Sequence, residues 1–296
     1  MTEENHKAGF VSLIGKPNAG KSTLMNVLVG ERLSIITSKA QTTRHRILGI
    51  INSDEFQIAY SDTPGIIKPM YKLQEAMMDF VRHTLKDSDV ILFITDLKER
   101  FDEEDALTII KKSNVPVIVI INKIDLAKDQ EEVEAKVEEW QKRLKPAAVI
   151  PLSALEKFNT EGVLPAILEH LPNHPAFFDK DTLTDKPQRF FAAELIRECI
   201  FNEYQKEVPY STEVVISDFI DEPNIIRIRA EIIVERDSQK GILIGKGGSA
   251  LKRIGTNSRK MMETFFDKKV FLEQYVKVEQ DWRKKENQLK RFGYTN

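Results

Sequence analysis

Between two apolar segments the chain reads Gly15-Lys16-Pro17-Asn18-Ala19-Gly20-Lys21-Ser22, a run whose residue types suit the holding of an anion. Glycines at both ends of the turn let backbone N–H groups point inward at phosphate oxygens. The segment Ser22–Val29 has helical spacing, so the positive end of a helix faces the same point. Lys21 adds a point charge for the outer phosphates, and the Ser22 hydroxyl is placed to ligate Mg2+. A bare glycine turn before a helix is the plain alternative. The strand-like stretch Phe10–Ile14 leads into this turn, however, and that is the context a phosphate cradle requires. The expected binding set is Gly15, Lys16, Pro17, Asn18, Ala19, Gly20, Lys21, Ser22 and Thr23.

Three further groups add to this chemistry. Asp62-Thr63-Pro64-Gly65 follows the apolar stretch Phe56–Tyr60. A carboxylate there can hold the metal beside Ser22, and the Gly65 N–H can meet the last phosphate; on its own, D-x-x-G is only a turn. Asn122-Lys123-Ile124-Asp125 follows the run Val115–Ile121. Asp125 can accept from the N1–H and exocyclic amine of guanine, Asn122 can shape the pocket's other edge, and the stem of Lys123 can lie along the base. Adenine offers neither donor in that arrangement and would leave the carboxylate unpaired, a difference worth several powers of ten. A helix N-cap is the simpler role open to Asp125. Ser153-Ala154-Leu155, after the short stretch Ala148–Pro151, fits a loop on the other side of the base.

The elements that must position these groups alternate. Strand-like segments are expected at Phe10–Ile14, Ile47–Ile51, Phe56–Tyr60, Val90–Thr95, Val115–Ile121 and Ala148–Pro151. Amphipathic helical spacing appears at Tyr71–Lys86, Glu103–Ser113 and Gln130–Leu144. That order predicts an α/β unit, a mostly parallel sheet with helices on both faces. Each motif then falls at the C-terminal end of a strand, the edge where open α/β sheets bind ligands.

Near Leu171 the pattern changes. Pro172, Pro175 and Pro187 punctuate a stretch without apolar periodicity, so residues 1–172 are expected to form one domain, 173–188 a linker and 189–296 a second domain. The second reads as small α+β: helix Arg189–Gln205, strands Glu213–Phe219 and Ile225–Glu235, a glycine-rich turn, helix Ser249–Phe265, strand Val270–Val278 and a charged helix near Trp282–Lys290. Within it, Ile244-Gly245-Lys246-Gly247-Gly248 contains G-x-x-G, which lets a nucleic-acid backbone approach closely. Lys240, Lys252, Arg253, Arg259 and Lys260 make its flanks basic, and Ile242, Leu243, Ile244, Leu251 and Ile254 offer an apolar floor for bases. The expected RNA contacts are Ile244, Gly245, Lys246, Gly247, Gly248, Lys252 and Arg253. A glycine turn beside a solvated basic helix is the plainer reading. Phe265, Phe266, Phe271, Tyr275 and Trp282 are expected in the core, from their spacing.

Bulk composition narrows the classes. A net charge of −2 identifies no partner and conceals the basic segment. The one cysteine, Cys199, excludes an internal disulfide. Five histidines without metal-ligand spacing argue against a zinc site. The N-terminus is polar and no apolar run approaches the ~20 residues that span a bilayer, so the expected location is cytoplasmic.

Residues 8–172 resemble the translation-factor-like branch of P-loop GTPases. That resemblance implies a mobile switch between cradle and D-x-x-G with a metal-ligating threonine. Thr42 and Thr43 are the candidates, and Thr43 is preferred because threonine followed by arginine matches related bacterial GTPases. It implies Ser22, Thr43 and Asp62 at the metal, with Lys21, Thr43, Gly65 and Asn18 serving hydrolysis. Ras-like enzymes place a glutamine directly after D-x-x-G, whereas this chain has Ile66, so slow intrinsic turnover is expected. Asn18 resembles the asparagine of GTPases that recruit K+ beside the phosphates.

Nearly the whole chain resembles the bacterial Era family, in which a GTPase domain precedes a type II KH domain. Beyond the motifs above, the likeness includes Ser38-Lys39-Ala40-Gln41-Thr42-Thr43-Arg44-His45-Arg46, Pro187-Gln188-Arg189-Phe190, Leu195-Ile196-Arg197-Glu198 and Glu207-Val208-Pro209-Tyr210-Ser211. It implies a protein that binds GTP and GDP and the 3′ end of small-subunit ribosomal RNA, and that assists 30S subunit assembly. It also implies weak peripheral association with the inner face of the cell membrane. No long coiled-coil heptad run demands a dimer, so a monomer is expected, with oligomeric state left open. Two other readings stay open: a regulatory GTPase whose basic domain meets a membrane or protein, and the GTP-binding subunit of a tRNA-modifying enzyme. The second lacks a terminal catalytic cysteine motif and an obvious folate-binding domain here.

Overall fold

In the computed structural model the described residues are 6–99, 107, 108, 110, 111 and 113–295. The helix expected over Glu103–Ser113 lies mostly outside them. Contacts divide the chain into two compact units: one runs up to Lys68 and again over Met77–Asp185, the other comprises Pro69–Ala76 and the chain from Lys186 onward.

β-Branched runs build the first unit. β1 (Lys7–Ile14), β3 (Phe56–Asp62), β4 (Val90–Asp96), β5 (Val117–Asn122) and β6 (Ala148–Pro151) pair in parallel, and β2 (Ile47–Asn52) adds antiparallel to β3. The strand order is β2-β3-β1-β4-β5-β6. Val90, Ile91, Leu92, Phe93 and Ile94 are consecutive and fully buried, which requires cover on both faces of the central strands. α1 (Lys21–Val29), α2 (Lys72–Lys86), α3 (Gln130–Leu144) and α4 (Val163–His170) follow the strands. α3 begins where the Asp129 carboxylate accepts the Glu132 N–H, and it buries Trp140.

Residues 173–185, expected to be linker, lie instead along the edge of this sheet. Gln57 Oε1 accepts the N–H groups of Phe177 and Phe178 at 2.7 and 3.0 Å, and its Nε2 donates to Phe178 O at 2.8 Å. The Ile50 N–H donates to Leu183 O at 2.8 Å, and the Leu48 N–H to Asp185 Oδ1 at 2.9 Å. An open strand edge is thereby paired. The units divide between Asp185 and Lys186.

The second unit contains α5 (Gln188–Glu203), α6 (Val208–Ser211), β7 (Glu213–Glu222), β8 (Ile225–Val234), α7 (Asp237–Ile244), α8 (Ser249–Phe266), β9 (Lys269–Val278) and α9 (Glu286–Arg291). β7 is antiparallel to β8 and β9 parallel to it, in the order β7-β8-β9. Ile226, Ile228, Ala230 and Ile232 alternate into a core with α5 and α8, while Arg227 and Arg229 face outward. Trp282 closes that unit, its indole N–H donating to Ser211 O at 2.9 Å.

Two expectations change here. The glycine loop is entered from a helix, α7, rather than directly from a strand; Gln239 caps it by accepting the N–H groups of Glu235 and Arg236 at 3.0 and 3.1 Å. Phe271 and Tyr275 are 46% and 49% exposed, because odd-numbered residues of β9 point to the open face of the sheet. The Arg227 guanidinium lies over the Phe271 ring. Trp282 is core, and Phe265 and Phe266 pack against the core.

Candidate functional site

The cradle's tightness comes from its glycines. A Cβ on Gly15 would lie 2.1 Å from Ile94 O, and one on Gly20 2.0 Å from Asn122 Nδ2. Gly20 has φ +97° and Asn18 φ +63°, left-handed conformations that turn the backbone back on itself. Lys21 begins α1 and is buried, its ammonium donating to Gly15 O at 3.1 Å and Lys16 O at 2.8 Å. Burial pulls its pKa down to about 8, against the carboxylates of Asp62 and Glu99.

Three oxygens converge beside it. Ser22 Oγ donates to Asp62 Oδ2 at 2.7 Å, Thr43 Oγ1 lies 2.9 Å from Ser22 Oγ, and Thr43 Oγ1 is 3.5 Å from Asp62 Oδ2. Two hydroxyls and a carboxylate are hard oxygen donors of the kind Mg2+ takes. Burial raises the pKa of Asp62, opposed by the Ser22 hydrogen bond and the Lys21 charge. Thr42 is turned elsewhere: its hydroxyl lies 2.6 Å from Thr37 Oγ1 and donates to Lys39 O at 2.7 Å.

D-x-x-G closes against the cradle. Thr63 Oγ1 donates to Leu13 O at 2.8 Å, Pro64 is buried, and the Ile66 N–H donates to Gly15 O at 3.0 Å. A Cβ on Gly65 would meet Pro17 N at 2.5 Å. Across the sheet edge, Asn122 ties three loops together: its Nδ2 donates to Ala19 O at 2.8 Å, and its Oδ1 accepts the N–H groups of Lys123 and Ala154 at 2.8 and 2.9 Å. Ser153 pairs with Phe158 through backbone hydrogen bonds, which fixes the loop carrying Ala154 and Leu155.

These elements enclose a cavity of about 500 Å³. Pro17, Asn18, Gly20, Lys21, Ser22, Thr23, Thr43, Gly65, Asn122, Lys123, Asp125 and Leu155 line it. Gly15, Lys16, Ala19, Asp62, Thr63, Pro64, Ser153 and Ala154 are not part of that lining; Lys16 and Ala19 line a neighbouring hollow. Asp125 is exposed, and Leu126 and Leu155 add exposed apolar side chains to the same lining. Sequence reasoning missed Leu126, Ile35, Ile36 and Ser38. The first three are apolar residues without a motif, and Ser38 takes part through its carbonyl, which accepts from Asn18 Nδ2 at 2.9 Å.

In the second unit, the glycine loop joins α7 to α8. Gly245, Gly247 and Gly248 have φ of +72°, +59° and +76°. A Cβ on Gly245 would meet Ala250 Cβ at 2.6 Å, whereas nothing lies within 4 Å of one on Gly247 or Gly248. Lys246 and Lys252 are exposed, and Ile244 is half-buried. Arg253 is exposed but ion-paired, its Nε donating to Glu203 Oε1 at 2.7 Å. Of the expected floor, Leu243 and Ile254 are core; Ile242, 46% exposed, remains available.

Comparison with known proteins matches residues 10–123 to the family described as 50S ribosome-binding GTPase and residues 207–283 to the KH domain. A solved structure of Era in complex with MgGDPNP and nucleotides 1506–1542 of 16S ribosomal RNA is 40% identical, covers 98% of this chain and 100% of its own, and superposes with a TM-score of 0.94. An Era variant from Aquifex aeolicus bound to GDP and aluminium fluoride gives the same identity, coverage and TM-score.

Proposed function

Because the chain belongs to the Era family of GTPases, we propose that its nucleotide state sets how firmly the C-terminal unit holds the 3′ end of small-subunit ribosomal RNA during 30S assembly. One observation carries this reading: an Era structure 40% identical over 98% of the chain holds both MgGDPNP and a 16S ribosomal RNA segment.

The protein hydrolyses GTP to GDP and phosphate. Backbone N–H groups of the cradle, Pro17 excepted, and the Lys21 ammonium hold the phosphates, Asp125 selects guanine, and the Gly65 N–H meets the γ-phosphate. Ser22, Thr43 and Asp62 would hold the metal. When bound, Mg2+ would offset the charge on the phosphates. The Ile66 side chain can neither orient the attacking water nor donate to it, so another group must complete the site. Asn18 Nδ2 donates to Ser38 O at 2.9 Å; with that hydrogen bond exchanged, Asn18 Oδ1 and the Ser38 carbonyl would be two oxygens able to take a K+ ion beside the phosphates. Turnover should then drop at least about tenfold when Na+ replaces K+, and equal rates in the two salts would remove the ion from the mechanism.

RNA is held at the open glycines. The space above Gly247 and Gly248 admits a sugar–phosphate backbone, with Lys246 and Lys252 beside it. This partner places the protein's work in the cytoplasm. No helix among the described residues is long and apolar enough to cross a membrane. Crosslinking in cells followed by sequencing of the attached RNA should recover the 3′ end of small-subunit ribosomal RNA. The signal should be lost in a Lys246→Asp/Gly247→Asp variant; recovery of unrelated RNA, or none, would refute the assignment.

A further inference from the structure

The parallel register of β4 and β5 sets Asp96 beside Asn122 at the ligand-binding edge of the sheet. Asp96 belongs to none of the nucleotide motifs. Its Oδ2 nevertheless lies 2.5 Å from the Lys123 ammonium. The rest of the turn holds that carboxylate still. Asp96 Oδ1 accepts the Lys98 N–H at 2.8 Å, the Asp96 N–H donates to Glu99 Oε2 at 3.3 Å, and the Leu97 N–H donates to Asn122 O at 3.0 Å. Glu99 in turn faces the Lys16 ammonium of the cradle at 3.6 Å, and its carbonyl accepts from Lys136 Nζ at 2.9 Å.

Lys123 is a wall between two spaces. It lines the nucleotide cavity with Asp125, and it also lines a neighbouring hollow of about 340 Å³ shared with Lys16, Asp96 and Glu99. Its backbone is left-handed at φ +64°, a strained conformation for lysine that needs outside support. A lysine stem has several rotatable bonds, and left free its ammonium would seek water or the phosphates.

We propose that Asp96 is a positioning residue for guanine recognition: it draws the Lys123 ammonium into the neighbouring hollow, so that the lysine stem lies flat as one wall of the base pocket. This rests on the reading of the cavity as a guanine-nucleotide site and adds to it a residue outside the motifs. The ion pair is partly exposed, which limits its effect to about fivefold in affinity.

The test is release of a fluorescent GDP from the full chain in Mg2+, with steady-state GTP hydrolysis alongside. Asp96→Ala and the isosteric Asp96→Asn should each speed GDP release and raise KM for GTP by about fivefold, leaving kcat within about twofold. Asp96→Glu should restore part of the difference. Lys123→Ala should release GDP faster as well, and adding Asp96→Ala to it should change nothing more, since both remove one interaction. Unchanged release in both Asp96 variants, or effects of Asp96 and Lys123 that multiply, would overturn the proposal while the guanine reading stood. A wild-type chain that held ATP as well as GDP would overturn both.

Discussion

Asn122 and Asp125 sit three positions apart in one motif, yet their environments assign them different work. Asn122 is buried and supplies three hydrogen bonds that join the cradle, its own loop and the loop of Ala154. Asn122→Ala leaves one carbonyl and two N–H groups without partners. That should cost about 2–4 kcal/mol and lower the nucleotide-free melting temperature by several degrees, measured by calorimetry. Asp125 is exposed at the cavity wall, so Asp125→Asn should leave that temperature within about a degree. What changes is the ligand. An amide can donate where the carboxylate only accepts, so the variant should lose GDP and gain xanthosine diphosphate, whose C2 carbonyl replaces the amine. Competition binding with both nucleotides decides this, and retained guanine preference would remove Asp125 from base selection. Gly65 is a third case. Its missing Cβ is filled by Pro17 backbone atoms, so Gly65→Ala should push the D-x-x-G loop off the cradle. Hydrolysis should fall by about 10²-fold or more with GDP affinity largely kept; a simultaneous loss of GDP would mean that the cradle itself had moved.

At the scale of elements, the glycine loop separates a structural glycine from functional ones. Gly245 turns the chain against Ala250, so a side chain there meets both a left-handed φ and a clash. Gly247 and Gly248 meet only the φ. Gly245→Ala should therefore melt the second unit at lower temperature than Gly247→Asp does, aspartate being among the residues that tolerate the left-handed region. RNA binding by filter retention should nevertheless fail in the second variant, through charge and bulk in the open space. Intact RNA binding there would dismiss the loop as the contact. This contrast was not legible in the sequence, where the glycines look alike. The strands of the first unit were legible, since runs such as Val90–Ile94 admit little but a strand buried on both faces. So were the nucleotide motifs, because each needs a fixed residue type at a fixed spacing. α7 was not: Gly241 breaks its periodicity and Ile242-Leu243-Ile244 mimics a strand, while the cap that starts it comes from Gln239 reaching back. Residues 173–185 were missed for a different reason. Prolines mark that stretch as non-helical, but what fixes it is the Gln57 side chain, over a hundred positions away. Asp96 escaped notice likewise, because only strand register brings it to Lys123.

On the scale of the whole molecule, a chain with net charge −2 carries a basic loop in one compact unit and the glycine cradle in the other, so the two polyanions of the proposed function would be held by separate units. Exposed charge is a weak link between separate units, since it is screened within about 10 Å at ordinary salt. A link requires that GTP favour one arrangement of the protein over another, and that RNA favour the same one. Thermodynamics then imposes a reciprocal condition. If replacing GDP by a non-hydrolysable GTP analogue tightens RNA binding by some factor, RNA must raise the preference for the analogue over GDP by that same factor. For a working switch the factor should lie between about 5 and 150. Titration of the 3′-terminal ribosomal RNA segment in each nucleotide state gives one side of the cycle, and nucleotide affinities with and without RNA give the other. Equal RNA affinities in the two states would show two binding units that share a chain without acting as a switch. Unequal affinities that failed to close the cycle would point to a third partner bound in one arm. A closed cycle with a factor in the expected range would make hydrolysis the step that loosens RNA, and the slow turnover expected from Ile66 would then set how long the RNA is held.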